Sequence, residues 1–302
     1  MPIDAVLIAG PTASGKSGAA LALAERIGGT IVNTDSMQVY REARILTARP
    51  SDADMDRAPH LLYGHVSVHE PYSVARYQAD ATDALAQVRA AKRIPVFTGG
   101  TGLYFHALTE GLAEIPPVPA QIRARAHARL AALGTDAFFA ELVARDPDTR
   151  LRASDRQRVL RAYEVFEATG RPLAQWQTSA GTAVLEGLQV ARFVISPPRD
   201  ELRARIDARF EAMLAAGARD EAAALEDLDP ALPSAKILGL RQLTALQAGV
   251  LELPAATAAA QAATRQYAKR QLTWFRHRMA DWQWIEARDL SNILAEILSH
   301  LA

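Results

Sequence analysis

The chain has 302 residues, enough for one sizeable core or a core with a smaller lobe. It contains no cysteine, which excludes a disulfide framework, a zinc–thiolate site and a thiol nucleophile. Lys plus Arg and Asp plus Glu each number 34, and a net charge of zero argues against a protein devoted wholly to nucleic acid.

The opening "MPIDAVLIAG" has no basic region, and its apolar run is shorter than a secretory signal needs. No stretch approaches the ~20 apolar residues of a membrane-crossing helix. A soluble cytoplasmic protein is therefore expected. "AVLIAG" reads as a buried parallel strand. Gly15 to Ile27 has alanine and leucine at helical spacing, and Gly28-Gly29 stops it. "TIVNTD" is a second strand, Ser73 to Lys92 a helix, and "RIPVFTGG" a third strand. This alternation predicts an α/β fold, a P-loop-type parallel sheet flanked by helices. "EIPPVP" and "ISPPR" then bracket an almost purely helical block from Ala120 to about Gln177, which predicts an inserted all-helical lobe. The expected division is 1–115 for the first part of the core, 116–197 for the lobe and 198–302 for the rest. After the block come the strand "LQVARFVI", several helices, an aromatic strand "DWQWIEA" and a last helix.

Between the first strand and helix lies Gly10-Pro11-Thr12-Ala13-Ser14-Gly15-Lys16-Ser17, a Gly-x4-Gly-Lys-Ser phosphate loop in its confirming context. Backbone N–H groups and the helix N-terminus hold phosphate oxygens in such a loop, with Lys16 on the terminal phosphates and Ser17 on Mg²⁺. Nucleotide hydrolysis also requires an acid for the metal and a group that positions water. The third strand ends in Thr98-Gly99-Gly100-Thr101 with no carboxylate, and the GTPase patterns Asp-x-x-Gly and Asn-Lys-x-Asp do not occur. The acid at a strand end facing the loop is Asp35, in "VNTDSMQVYR". It reads as a magnesium partner or general base, or else as an Asx turn or helix cap.

Charge is segregated despite the neutral total. Residues 265–278 carry five basic side chains and no acid, and residues 220–229 carry five acids and no base. Arg150, Arg152, Arg156, Arg158 and Arg161 cluster beside Tyr163, and Lys269, Arg270, Arg276 and Arg278 interleave with Tyr267, Trp274 and Phe275. Basic groups on phosphates and planar groups on unpaired bases suit an RNA partner. The alternative is that Trp274 and Phe275 face the core and the arginines are solvated.

Taken in order, "GPTASGKS", "NTDSMQVYR", "LTARP", "PYSVARYQADA", "PVFTGGTGLYF", "RVLRAYEVFEATGRPLAQWQ", "SAKILGLRQL" and "RQYAKRQLTWFR" resemble the bacterial tRNA dimethylallyltransferase (tRNA isopentenyltransferase) family along nearly the whole chain. The resemblance implies that the loop, Gly10 to Ser17, holds the pyrophosphate of dimethylallyl diphosphate, with Mg²⁺ at Ser17 and Arg209 as a further pyrophosphate ligand. On composition alone Arg209 would be an exposed helix arginine. The implied acceptor is the exocyclic amine of the adenine 3′ of the anticodon, in the anticodon stem-loop of tRNA. Asp35 is the implied general base and Thr101 the hydroxyl beside the target adenine. Implied tRNA contacts are Asp35, Ser36, Met37, Gln38, Thr101 and Arg123, then Gln157, Arg158, Val159, Leu160 and Arg161. Further implied contacts are Lys236, Ile237, Leu238, Gly239, Leu240 and Arg241, and then Lys269, Arg270, Gln271, Leu272, Thr273, Trp274, Phe275 and Arg276. A monomer is expected. Two departures, Leu46 in "ILTARP" and the segment "PHLLYG", are expected to affect packing rather than chemistry. The competing readings are a P-loop nucleotide or small-molecule kinase and a nucleotide-gated RNA-binding module without chemistry.

Overall fold

The computed structural model of the chain describes residues 3–178, 181–286 and 289–301. The two outermost residues of the expected division, Met1 and Ala302, and Ala287 of the aromatic strand lie outside them. The chain forms two compact units, one of Met1–Thr109 with Val184–Ala302 and the other of Glu110–Ala183.

The first unit contains β1 (Ala5–Ala9), α1 (Lys16–Ile27), β2 (Thr30–Asn33), α2 (Asp52–Arg57), β3 (His60–Leu61), α3 (Val74–Ala90), β4 (Pro95–Gly99) and α4 (Gly102–Thr109). The second unit holds α5 (Ala120–Arg145), α6 (Arg156–Thr169) and α7 (Leu173–Trp176). The first unit then resumes with β5 (Val190–Ile195), α8 (Arg199–Ala215), α9 (Ala218–Ala223), α10 (Leu240–Gln247), α11 (Leu253–Arg278), β6 (Gln283–Ile285) and α12 (Leu290–Leu301). The helical insert thus ends before the second proline break. The reason is β5, which pairs with β1 from Ala5↔Val190 to Ala9↔Val194 and so belongs to the sheet.

Every pairing in the six-stranded sheet is parallel, in the order β3-β2-β4-β1-β5-β6. Alternation along the strands divides the core between the two faces. Val6 and Ile8 point with Ile31, Val96 and Phe193 toward α1 and α12, where Ala20, Leu23, Ile293 and Ile297 are buried. Leu7 and Ala9 point with Val32, Phe97 and Val194 to the other face, where Tyr77, Phe105, Leu243 and Phe275 close the layer. α1 stops because Gly28 takes a left-handed conformation (φ 64°), and α3 starts because the Ser73 hydroxyl accepts the Arg76 N–H. β3, too short for a hydrophobic pattern, was not evident in the sequence.

In the helical unit α5 is interrupted at Gly134 (φ 75°), and the chain folds back on itself around Leu130, Phe138, Leu142, Val159 and Tyr163. The Phe138 and Tyr163 rings lie 4.5 Å apart, and the Arg145 guanidinium sits 4.6 Å from the Tyr163 ring. The Asp155 carboxylate accepts the Arg158 N–H at the start of α6, and left-handed Gly170 ends it.

Candidate active site

β1, β2 and β4 deliver three turns to one end of the sheet, at the carboxyl ends of the strands, where parallel sheets place ligands. The first is the phosphate loop. Ala13 (φ 63°) and Gly15 (φ 90°) both adopt left-handed conformations, which bend the loop around the N-terminus of α1. Lys16 is 9 % exposed, and its Nζ donates to the Pro11 carbonyl at 3.1 Å. Burial brings the Lys16 ammonium down to about 8, with the charge of Asp35 opposing the shift and Arg209 adding to it. Arg209, on α8, donates to the Thr12 hydroxyl at 3.2 Å and is likewise lowered by burial and supported by Asp35. So Arg209 is half-buried against the loop, not a free surface arginine. Gly10, Pro11 and Ser14 are buried, and Ser17 is exposed at the start of α1.

The second turn carries Asp35. The Asn33 side chain accepts the Asp35 N–H at 2.9 Å and donates to the Asp35 carbonyl at 2.9 Å and the Leu62 carbonyl at 3.0 Å. Asp35 Oδ1 accepts the Met37 N–H at 3.0 Å, which is an Asx turn. The two roles weighed for Asp35 are compatible: one carboxylate oxygen fixes the turn, and Oδ2 is aimed toward Gly100. The third turn carries Thr101, whose hydroxyl accepts the Ser36 N–H at 2.9 Å and donates to Ser36 Oγ at 3.1 Å. Tyr267 of α11 is hydrogen-bonded to Thr101, and burial with the nearby Asp35 charge pushes its hydroxyl well above the usual tyrosine range.

A cavity is lined by Thr12, Asp35 and Arg209 together with the apolar side chains of Leu46, Phe210 and Met213. Leu46 therefore does reach the site, contrary to expectation, and Leu62 of "PHLLYG" holds Asn33 and through it Asp35. Sequence reasoning also missed Glu221. Its carboxylate accepts the N–H groups of Arg44, Ile45 and Leu46 at 2.8, 2.7 and 2.8 Å, fixing the loop that presents Leu46. The acidic run gave no hint that one member turns inward.

The segments expected to meet tRNA divide by exposure. Arg123, Gln157, Arg158, Lys236, Arg241, Lys269, Arg270, Thr273 and Arg276 are exposed, and Leu160, Arg161, Leu238, Leu272 and Trp274 are half-buried. Val159, Ile237, Leu240 and Phe275 are buried in apolar clusters, so their side chains are spent on packing rather than on RNA. Gly239 is buried against Phe210 and Leu46. Gln38 is buried too, its amide donating to the Thr47 and Ala48 carbonyls at 3.0 and 2.8 Å. Gln271 is 5 % exposed and faces inward. Periodicity along α11 carried the missing signal. Ala268, Gln271 and Phe275 lie at i, i+3 and i+7, one buried face, while Lys269, Arg270 and Arg276 are exposed on the others.

Residues 38–278 match the family model described as IPP transferase. A tRNA dimethylallyltransferase of Rhodospirillum centenum is 55 % identical over 279 residues, 91 % of this chain and 89 % of that protein. One of Nitrobacter hamburgensis is 50 % identical over 98 % of this chain and 94 % of its own. The crystal structure of the tRNA isopentenylpyrophosphate transferase of Bacillus halodurans superposes with a TM-score of 0.69 at 28 % identity, covering 98 % of this chain and 95 % of that one. A eukaryotic dimethylallyltransferase acting on tRNA reaches 0.81 at 25 % identity, covering 96 % and 75 %.

Proposed function

This chain belongs to the IPP transferase family of tRNA dimethylallyltransferases, and on that premise we propose the reaction its site performs. It transfers the dimethylallyl group of dimethylallyl diphosphate to the N6 amine of the adenine 3′ of the anticodon in tRNA, releasing diphosphate. One observation carries this reading. Buried Lys16 on the phosphate loop and Arg209 of α8 against it both feel the Asp35 carboxylate, and Asp35 and Arg209 line one cavity with Leu46, Phe210 and Met213.

The chemistry follows from those parts. The carbon–oxygen bond of the donor breaks as the N6–carbon bond forms. Charge developing on the leaving diphosphate meets Lys16, Arg209 and the loop N–H groups, a prearranged electrostatic site. The amine is a weak nucleophile because its lone pair is delocalised into the ring, and Asp35 Oδ2 takes its proton. Thr101, held by Ser36, orients the amine. Leu46, Phe210 and Met213 shelter the prenyl chain from water. The adenine leaves its stack to enter the cavity.

Mg²⁺ fits the residues present. Such an ion is held by one or two protein oxygens together with substrate phosphates and water, and Ser17 offers an exposed hydroxyl beside Lys16. Among the described residues no group of three or more His, Cys, Asp or Glu could bind a metal without phosphate. When bound with the diphosphate, Mg²⁺ supplies positive charge to the leaving group. The exposed arginines and lysines of α6 and α11 hold tRNA phosphates, and the enzyme acts as a monomer in the cytoplasm. No helix among the described residues is long and apolar enough to cross a membrane.

The test incubates the purified protein with tRNA and either dimethylallyl diphosphate or ATP, then digests the tRNA and assays nucleosides by mass. Dimethylallyladenosine formed from the diphosphate without ATP is the expected result. RNA-stimulated ATP hydrolysis with no prenylated nucleoside would overturn it.

A further inference from the structure

We infer that Gln271 is a positioning residue for the transfer, acting by locking the donor-binding loop to the acceptor-side turn, and that it is not an RNA contact. The inference rests on the reaction proposed above. The Gln271 carboxamide Oε1 accepts the Thr12 N–H at 2.9 Å, and its Nε2 donates to the Gly100 carbonyl at 2.8 Å. Thr12 is the residue whose hydroxyl Arg209 holds, within the phosphate loop. Gly100 immediately precedes Thr101, and Asp35 Oδ2 lies against it. One side chain therefore joins the half of the site that receives the diphosphate to the half that receives the amine.

Partner chemistry fixes the amide orientation. A backbone N–H can only donate and a carbonyl can only accept, so one end must be an acceptor and the other a donor. Glutamate supplies no donor, methionine supplies neither group, and asparagine is one methylene too short to reach both. Steric evidence agrees. A Cβ placed on Gly100 would overlap the Gln271 amide, so the absence of a side chain there leaves room for this contact. Among the described residues, the backbone bond between the two turns is Gly10 N–H to Gly99 carbonyl at 3.3 Å, a long one. With the strut removed, the turns drift relative to each other. Displacement of about 1 Å between donor carbon and amine can cost about 10²-fold in rate without loss of binding.

The experiment measures single-turnover dimethylallyl transfer at saturating tRNA and dimethylallyl diphosphate. It also measures tRNA affinity by fluorescence anisotropy for the wild type, Gln271→Met, Gln271→Glu and the milder Gln271→Asn, all below their unfolding midpoints. The expected result is a rate reduced about 10-fold or more by Met and Glu, a smaller loss with Asn, and tRNA dissociation constants within about two-fold of wild type. Weakened tRNA binding with an unchanged rate would make Gln271 an RNA contact and overturn the inference, as would wild-type rates in all three variants. Wild-type protein that prenylates no tRNA in the same assay would instead overturn the proposed function.

Discussion

The sheet end and the helical unit spend their charged and polar groups in opposite ways. At the sheet end, Lys16 and Arg209 are drawn out of water around one loop, and Asn33, Gln271 and Thr101 use nearly every hydrogen-bonding atom to fix backbone. In the helical unit Arg158 and Arg161 stay exposed or half-exposed beside nearby acids, Arg158 with Asp155 at 3.4 Å and Arg161 with Glu164 at 3.7 Å. The first arrangement makes charge strong by excluding water and costs desolvation. The second gives weak, screened, adjustable charge. Chemistry on a leaving group calls for the former; holding a polyanion that must later be released calls for the latter. Substitutions at the sheet end should therefore alter rates, and substitutions on the helices should alter salt-dependent affinity.

The largest effect should come from Asp35→Asn, which keeps the shape and the Asx turn while removing the base. Single-turnover transfer should fall about 10²–10⁴-fold with tRNA affinity little changed. A fully active variant would reduce Asp35 to its turn bond with Met37. Lys16→Ala follows, with a loss of about 10²–10³-fold, since it removes one prearranged charge from the leaving group. Thr101→Ala should cost less than either, because a hydroxyl orients the amine but cannot take its proton, and the Ser36 N–H it releases is only part-buried.

Legibility in the sequence tracked how local each determinant was. The phosphate loop, its strand and helix, and the Asp35 turn are contiguous, and their glycine and apolar spacing made them readable. The insert's end was misplaced because proline clusters mark chain direction, while the true limit depends on β5 pairing with β1, 185 residues apart at Ala5↔Val190. Gln271 and Glu221 could not be read at all as fixers of distant backbone. Helical spacing can turn Gln271 inward but cannot name its partner, and the partners, Thr12 for Gln271 and Leu46 for Glu221, are far away in sequence. Phe275 and Val159 were assigned to RNA because whole segments were carried over, whereas burial is decided residue by residue.

Acidity sharpens the comparison further. Lys16, with its ammonium near 8, loses its proton between pH 7 and 9, whereas the Arg209 guanidinium stays charged. Affinity of the free enzyme for dimethylallyl diphosphate should therefore fall as pH rises through 8, by up to about 10-fold. Calorimetric titration at pH 7 and pH 9 checks it. Lys16→Met should bind weakly and with the same affinity at both values; a variant that kept the wild-type slope would assign the pH dependence elsewhere.

Arg158→Glu should have the smallest effect and the clearest sign. Arg158 occupies the first turn of α6, whose N-cap is Asp155. A cation there opposes the helix dipole but pairs with Asp155 at 3.4 Å, and the Asp155 N–H already donates to the Arg152 carbonyl. Glutamate therefore gains with the dipole about what it loses as an ion pair, and the stability of α6 should change by less than about 1 kcal/mol. Its side chain is 65 % exposed, so no packing is lost. If Arg158 holds a tRNA phosphate, affinity should nevertheless drop several-fold at low salt. The slope of log affinity against log salt should shrink by about 1, with diphosphate affinity unchanged. Stability thus stays nearly constant while binding falls, so the loss could not be blamed on unfolding. A variant of wild-type stability that binds tRNA with the wild-type salt slope would remove this arginine from the RNA-binding surface and leave its charge to the helix alone.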